Sequence, residues 1–274
     1  MNVLGVDLAW GEGSVDRAPN ETGVVAVDRS GRILDAGWTI GVAATAQWMA
    51  TWADDDSIAM VDAPLVVFNP SGQRPCEREV GQRYGRWKVS ANSSNLALSA
   101  LAGLALLRQL AATGWVYADG RSGPPRGGRH VYEVYPYTTL VGAAELGYEL
   151  ERPAYKRRPR LVDTASWPSQ RAATCDDLVR RLDALRHADP PLDLCSHPVT
   201  SALVNEPTPL ARGAAKHRED LIDAALCAWT GLLWLRFGLA RCQVLGSDDV
   251  PGPDGSVATI LAPARPSQQR GFCP

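Results

Sequence analysis

The segment "NVLGVDLA" at residues 2–9 is apolar at both alternating sets of positions, with one carboxylate, Asp7, set into it. Apolar residues on both faces predict a strand buried in the middle of a covered sheet. "TGVVAVDRSGRILDAGWTI" then carries two further strand-like runs joined at Ser30 and Gly31, a hairpin-turn signal. Residues 42–53 predict a helix in which Trp48 and Trp52, four apart, share a face. "SIAMVDAPL" reads as a short apolar strand that terminates in Asp62 and is stopped by Pro64. The opening order is therefore β-β-β-α-β.

Beyond this point the pattern loosens. "FNPSGQRPCEREVGQRYGRW" predicts a loop and then an Arg/Glu-rich helix, and residues 94–113 predict an apolar helix capped by Asn92, Ser93 or Ser94. "RSGPPRGGR" is a loop by composition. "HVYEVYP" alternates as a strand, with Val131, Glu133 and Tyr135 on one side and Tyr132 and Val134 on the other. Residues 172–188 favour a helix with Leu178, Leu182 and Leu185 on its apolar side. Residues 151–171 and 189–212 are polar or rich in proline, with little periodicity. "KHREDLIDAALCAWTGLLWLRFG" predicts a long helix ending near Gly238, and "SVATILAP" a final strand. No internal repeat and no linker between two cores is visible. The expectation is one α/β domain over residues 1–274, a mixed sheet with helices on both faces and insertions at about 68–129 and 147–212.

Composition, at 45% hydrophobic and 21% charged residues, is that of ordinary globular material. A net charge of -2 supplies no overall attraction for nucleic acid and leaves only local basic patches to provide it. The basic residues are 25 Arg and 3 Lys, a bias that GC-rich coding explains and that phosphate binding would also use. No basic segment precedes an apolar core and small-residue cleavage site near the N-terminus, and the apolar run "LIDAALCAWTGLLWL" is short for a membrane span and holds Asp223. Cys76, Cys175, Cys195, Cys227, Cys242 and Cys273 form no CxxC pair or Cys/His cluster, so reduced thiols in a cytoplasmic protein are expected and a zinc site is not. P-loop, GxSxG and HExxH signatures are absent, and four histidines leave little material for a triad.

What changes the picture is a set of acids at positions where the pattern predicts burial or the end of an element. These are Asp7, Asp62, Glu133 and, three apart on one face of the last long helix, Asp220 and Asp223, with Lys216 on the same face. Each has a structural reading: a turn for Asp7, an Asx turn for Asp62, an arginine partner for Glu133, the helix dipole for Asp220. Gathered together, however, carboxylates repel and need compensation. A divalent cation such as Mg²⁺ or Mn²⁺, bound through carboxylates, waters and substrate phosphates, supplies it and suits phosphodiester hydrolysis. Arg74, Arg78 and Arg83, and the cluster Lys156, Arg157, Arg158 and Arg160, are candidate contacts to a nucleic-acid backbone or solvated faces.

In chain order, "GVDLAWG", "VDAPL", "GQRPCEREVGQRYGR", "YEVYP" and "KHREDLIDAALCAW" resemble the domain-of-unknown-function 429 family, predicted to be RNase H-like nucleases. The resemblance implies an RNase H-like fold: a mixed five-stranded sheet opening with three antiparallel strands. It implies a metal site at Asp7, Asp62, Asp220 and Asp223, the DxxD spacing looking most like that of Holliday-junction resolvases, with Glu133 in a motif of the family's own. Nucleic acid, DNA or RNA, would be the partner. Two other readings stand beside it: an actin-like or sugar-kinase-like nucleotide-binding protein, for which "DLAWGEG" would hold phosphates, and a non-catalytic RNase H-like module whose acids are held by Arg residues.

Overall fold

The computed structural model describes residues 1–11, 13, 19–99 and 101–268, so most of the glycine-bearing loop after Asp7, and Cys273, lie outside the described residues. Strands β1 (Val3–Asp7), β2 (Glu21–Val27) and β3 (Ile33–Ile40) are antiparallel neighbours. Helix α1 (Gly41–Trp52) leads to β4 (Ser57–Val61), which lies parallel to β1. Then come α2 (Pro75–Tyr84), α3 (Ala102–Ala111), β5 (Trp115–Tyr117), β6 (Arg129–Glu133) and α4 (Pro136–Gly142). Helices α5 (Trp167–Ala184), α6 (Pro198–Asn205) and α7 (Arg212–Phe237) and the strands β7 (Cys242–Leu245) and β8 (Ile260–Pro263) complete the order.

Six strands form one mixed sheet in the order β3-β2-β1-β4-β6-β5, with β1, β4, β6 and β5 parallel, while β7 and β8 pair apart as an antiparallel ribbon. The alternation of the strands divides their side chains between two layers. Leu4, Val6, Ala59, Val61 and Val131 pack with Val42 and Met49 of α1 and with Leu106 and Leu110 of α3. Val3, Ile58, Met60 and Tyr132 face the opposite side, where α7 lies, backed by α2, α4 and α5. From Leu221 to Trp234 α7 is buried on every side, and apart from Asp223 and Thr230 that stretch is apolar or small all round. The stretch Arg212–Ala240 is long and apolar enough by length and composition to cross a membrane, yet 83% of its apolar window is buried in this core.

Glycines let α7 descend onto the sheet. A Cβ on Gly5 would stand 2.0 Å from the carbonyl oxygen of Ala224 and 2.4 Å from the nitrogen of Ala228, and one on Gly23 2.2 Å from the carbonyl of Asp220. Both approaches bring the N-terminal half of α7 to the end of β1. Gly5→Ala is expected to destabilise the protein by about 2–3 kcal/mol, since neither backbone can yield without moving the helix. Urea unfolding measures this; an unchanged midpoint would mean that α7 tolerates a shift from β1.

Several sequence expectations need correction. The helix expected over 94–113 is confined to Ala102–Ala111, and none of Asn92, Ser93 or Ser94 caps it. The backbone before it is held elsewhere: Ser94 N–H donates to Glu77 and Leu96 N–H to the carbonyl of Asn69. The segment 68–129 is not wholly peripheral, since it contributes the edge strand β5, which makes six strands where five were implied. Residues 189–212 contain α6, because Pro198 starts that helix at a position where its missing N–H costs nothing. The expected final strand forms as β8 and pairs antiparallel with β7, and its Leu261 also bridges Val134 just past β6. Cysteines 76, 175, 195, 227 and 242 carry no disulfide.

Candidate functional site

Register alone brings two of the acids together. Val6 pairs with Val61, and Asp62 N–H donates to the carbonyl of Val6 at 2.8 Å, so Asp62 leaves β4 beside Asp7 at the end of β1. By alternation both side chains belong to the set of Val3, Gly5, Ile58 and Met60, the face that α7 covers. Asp223 of α7, fully buried, completes a group of three in which one carboxylate oxygen from each residue lies within 4.8 Å of the other two. Tyr155 donates its hydroxyl to Asp223 Oδ1 at 2.6 Å, and Lys156 Nζ contacts Oδ2 of the same carboxylate. One turn back along α7, Lys216 pairs with Asp220.

Crowding is visible in the electrostatics. Asp62 is pushed up to about 8, first by burial and then by the charge of Asp7, with Lys156 and Lys216 pulling the other way. Burial also holds Glu219 above the usual range against the pull of the same two lysines. Three carboxylates of this kind are hard oxygen donors from three separate elements, the donor set that Mg²⁺ or Mn²⁺ takes.

Asp7 and Asp62 form the floor of a cleft of about 380 Å³, while Asp223 is fully buried and does not line it. Trp10, Tyr135 and Tyr137 supply flat walls, and Arg152, Lys156 and Arg157 a basic rim. Asp220 lines the cleft but lies outside the group of three. Such an arrangement can bind a cation on its floor, a phosphate against its rim and an aromatic base on its wall.

Residues 5–248 match the family described as "Protein of unknown function (DUF429)". The chain belongs to that family. No curated protein and no solved structure matches it.

In this DUF429 chain the remaining expected site residues are dispersed. Glu133 shares its alternation set with Val131, on the face opposite Asp7, and is buried in an ion pair: Arg74 donates to both of its oxygens, at 2.8 and 2.5 Å, and Leu65 N–H at 2.9 Å. Burial still pushes the Glu133 carboxyl up against that pull. Arg74, expected as a backbone contact, is 2% exposed and also bonded to Glu77 and the carbonyl of Val66, which withdraws it from any nucleic acid. Arg83 pairs with Glu79 and Arg78 donates to the carbonyl of Gln73; neither lines the cleft. Lys156 sits in the acid group rather than on an outer face, Arg157 is on the rim, and Arg158 lies in a neighbouring groove.

Four residues carry no mark in the sequence pattern: Trp10 and Arg152, which line the DUF429 cleft, Tyr155, which bonds Asp223, and Glu219, beside Lys216. Glu219 had a signal, being four residues before Asp223 and so on its helical face. The role of Lys156 had one too. A chain with 25 Arg keeps 3 Lys, and Lys156 and Lys216 are both at these acids. An ammonium is a compact point charge that fits between carboxylates where a planar guanidinium does not.

Proposed function

We propose that the protein hydrolyses phosphodiester bonds of nucleic acid, using a divalent cation held by Asp7, Asp62 and Asp223 on an RNase H-like fold. The observation that carries this reading is the meeting of those three carboxylates, from β1, the end of β4 and α7, within 4.8 Å. Their chemistry fits the ion, and hard oxygen donors leave room for waters and a phosphate oxygen. The sheet order β3-β2-β1-β4-β6, antiparallel over its first three strands, supports the RNase H-like assignment, with β5 as an added edge. Bound there, the cation would polarise the phosphoryl group and make an attacking water more acidic.

The protein's own groups do the positioning. Asp7 and Asp62 present oxygens from neighbouring strand ends, so their separation is set by the ladder. Tyr155 fixes the rotamer of Asp223 from behind, as outer hydrogen bonds do for ligating carboxylates. Lys156, at the acids and on the rim, places a positive charge where a phosphate would gain negative charge. Asp220 holds Lys216 at the lip of the cleft.

A second reading, a non-catalytic module, draws support from the same lysines, which compensate Asp223 and Asp220 without any ion. One pair of measurements separates the two. Mg²⁺ or Mn²⁺ is expected to raise the melting temperature, by about 2.7 kcal/mol of stabilisation at a hundredfold excess over Kd. It is also expected to support cleavage of at least one member of a panel of single-stranded, duplex and branched DNA and RNA. Absence of both effects would favour the module.

A further inference from the structure

A second groove, of about 790 Å³, opens beside the acid cleft, and Arg152 and Arg157 line both. Its remaining cations are Lys88, Arg158 and Arg160, against two carboxylates, Glu151 and Asp177. Both carboxylates are already taken, Glu151 by Lys88 and Asp177 by Arg180 and Arg181. Arg157 and Arg160, both exposed, have no hydrogen-bond or ion-pair partner among the described residues. The groove therefore carries uncompensated positive charge in a chain whose net charge is -2.

A second observation points to a ligand. Tyr148 lines the groove, is 8% exposed, and its buried hydroxyl has no hydrogen-bond partner among the described residues. Buried hydroxyls are rarely left unpaired, because the lost hydrogen bond is not repaid. A phosphate oxygen in the groove would accept from it once the side chain shifts to bring the shielded hydroxyl to the groove surface.

We infer that this groove holds the phosphate backbone of a single-stranded polynucleotide whose adjoining segment occupies the acid cleft. The inference rests on the nuclease reading and deepens it: the substrate is a strand long enough to fill both depressions, not a mononucleotide. Arg152 and Arg157 are the junction, bounded on one side by the acids and on the other by the basic groove. Trp10, at 36% exposure, gives an unstacked base a flat face at the cleft end of the path. Phosphates set the register along the groove, and the acid floor selects which of them is attacked.

The test uses the full chain and fluorescein-labelled 12-nucleotide single-stranded DNA and RNA, with binding read by anisotropy in EDTA so that turnover is excluded. Arg158→Ala combined with Arg160→Ala alters residues that line only the second groove. This variant is expected to bind the preferred 12-mer at least tenfold more weakly. Its log-affinity against log-salt slope should fall by about 1.4, the loss of two phosphate contacts. Tyr148→Phe should weaken binding severalfold without changing that slope. The melting temperature and its Mg²⁺ or Mn²⁺ shift establish that each variant is folded. Unchanged affinity and slope in the double variant, or no saturable binding of either 12-mer by the wild type, would overturn the groove assignment even if metal-dependent cleavage is found. Groove-dependent binding without any metal shift or cleavage would leave the assignment standing and remove the nuclease reading alone.

Discussion

Asp62→Asn is expected to abolish most metal-dependent cleavage while leaving the fold intact. Removing one preorganised electrostatic group from an active site costs about 10² to 10³ in rate, and here the group lost is a cation ligand as well. The side chain keeps its shape, and the backbone N–H that ties it to Val6 is untouched. Loss of activity should therefore come without loss of secondary structure by circular dichroism. Retention of more than a tenth of the wild-type rate would exclude Asp62 from the mechanism.

The same substitution has a pH signature. In the folded state Asp62 is pushed up to about 8 from an ordinary 3.8, so between those values the folded protein holds a proton that the unfolded chain has lost. Its contribution to stability is fully present below the unfolded value and disappears as pH rises through about 8. Metal-free wild-type protein should thus lose stability between pH 5 and 8.5, on the order of 2 kcal/mol once partial exposure is allowed for. Asp62→Asn should flatten that slope. A cation must displace the proton, so the metal-induced rise in melting temperature should grow with pH and level off above about 8. A metal effect independent of pH over this range would mean that the ion binds without Asp62.

The parts of this site that are readable from sequence are those a strand pattern can express. A lone carboxylate in a two-sided apolar strand, and another where an apolar strand meets Pro64, are departures from a simple rule, and both mark the cleft. Asp223 is readable for a similar reason, lying among Ile222, Ala224 and Ala225 on a helix that is buried along most of its length. Glu133 shows the limit. Alternation correctly groups it with Val131, but which face of β6 looks toward α7 depends on how distant elements stack, and no local period encodes that. Short elements such as β5, of three residues, and β7, of four, have too few positions to show a period. Lys156 comes from a segment without periodicity, and its place is set by Tyr155, packed behind Asp223, rather than by any helix or strand.

Arg74→Met is expected to destabilise the fold more than either Gly5→Ala or Asp62→Asn, by about 3–5 kcal/mol, the cost of breaking a buried ion pair from one side. Arg74, Glu77 and Glu133 are each at most 3% exposed, and one guanidinium serves both carboxylates. Methionine fills the volume but leaves two buried acids facing each other, so both must take up protons or the segment must open. The segment in question runs from the end of β4 to α2. Glu133 binds Leu65 N–H, Arg74 binds the carbonyl of Val66, and Glu77 binds the N–H groups of Arg74 and Ser94. Asp62 stands immediately before this segment, so the variant should lose cleavage beyond what unfolding explains, even at temperatures where it remains folded. Combining Arg74→Met with Glu133→Gln should recover part of the loss, because the uncompensated charge is then smaller, with a coupling of about 1–3 kcal/mol. Chemical denaturation of the four proteins of this cycle measures it. If Arg74→Met instead weakened nucleic-acid binding at unchanged stability, the guanidinium would be a backbone contact after all, and the buried network could not be what fixes Asp62 beside Asp7.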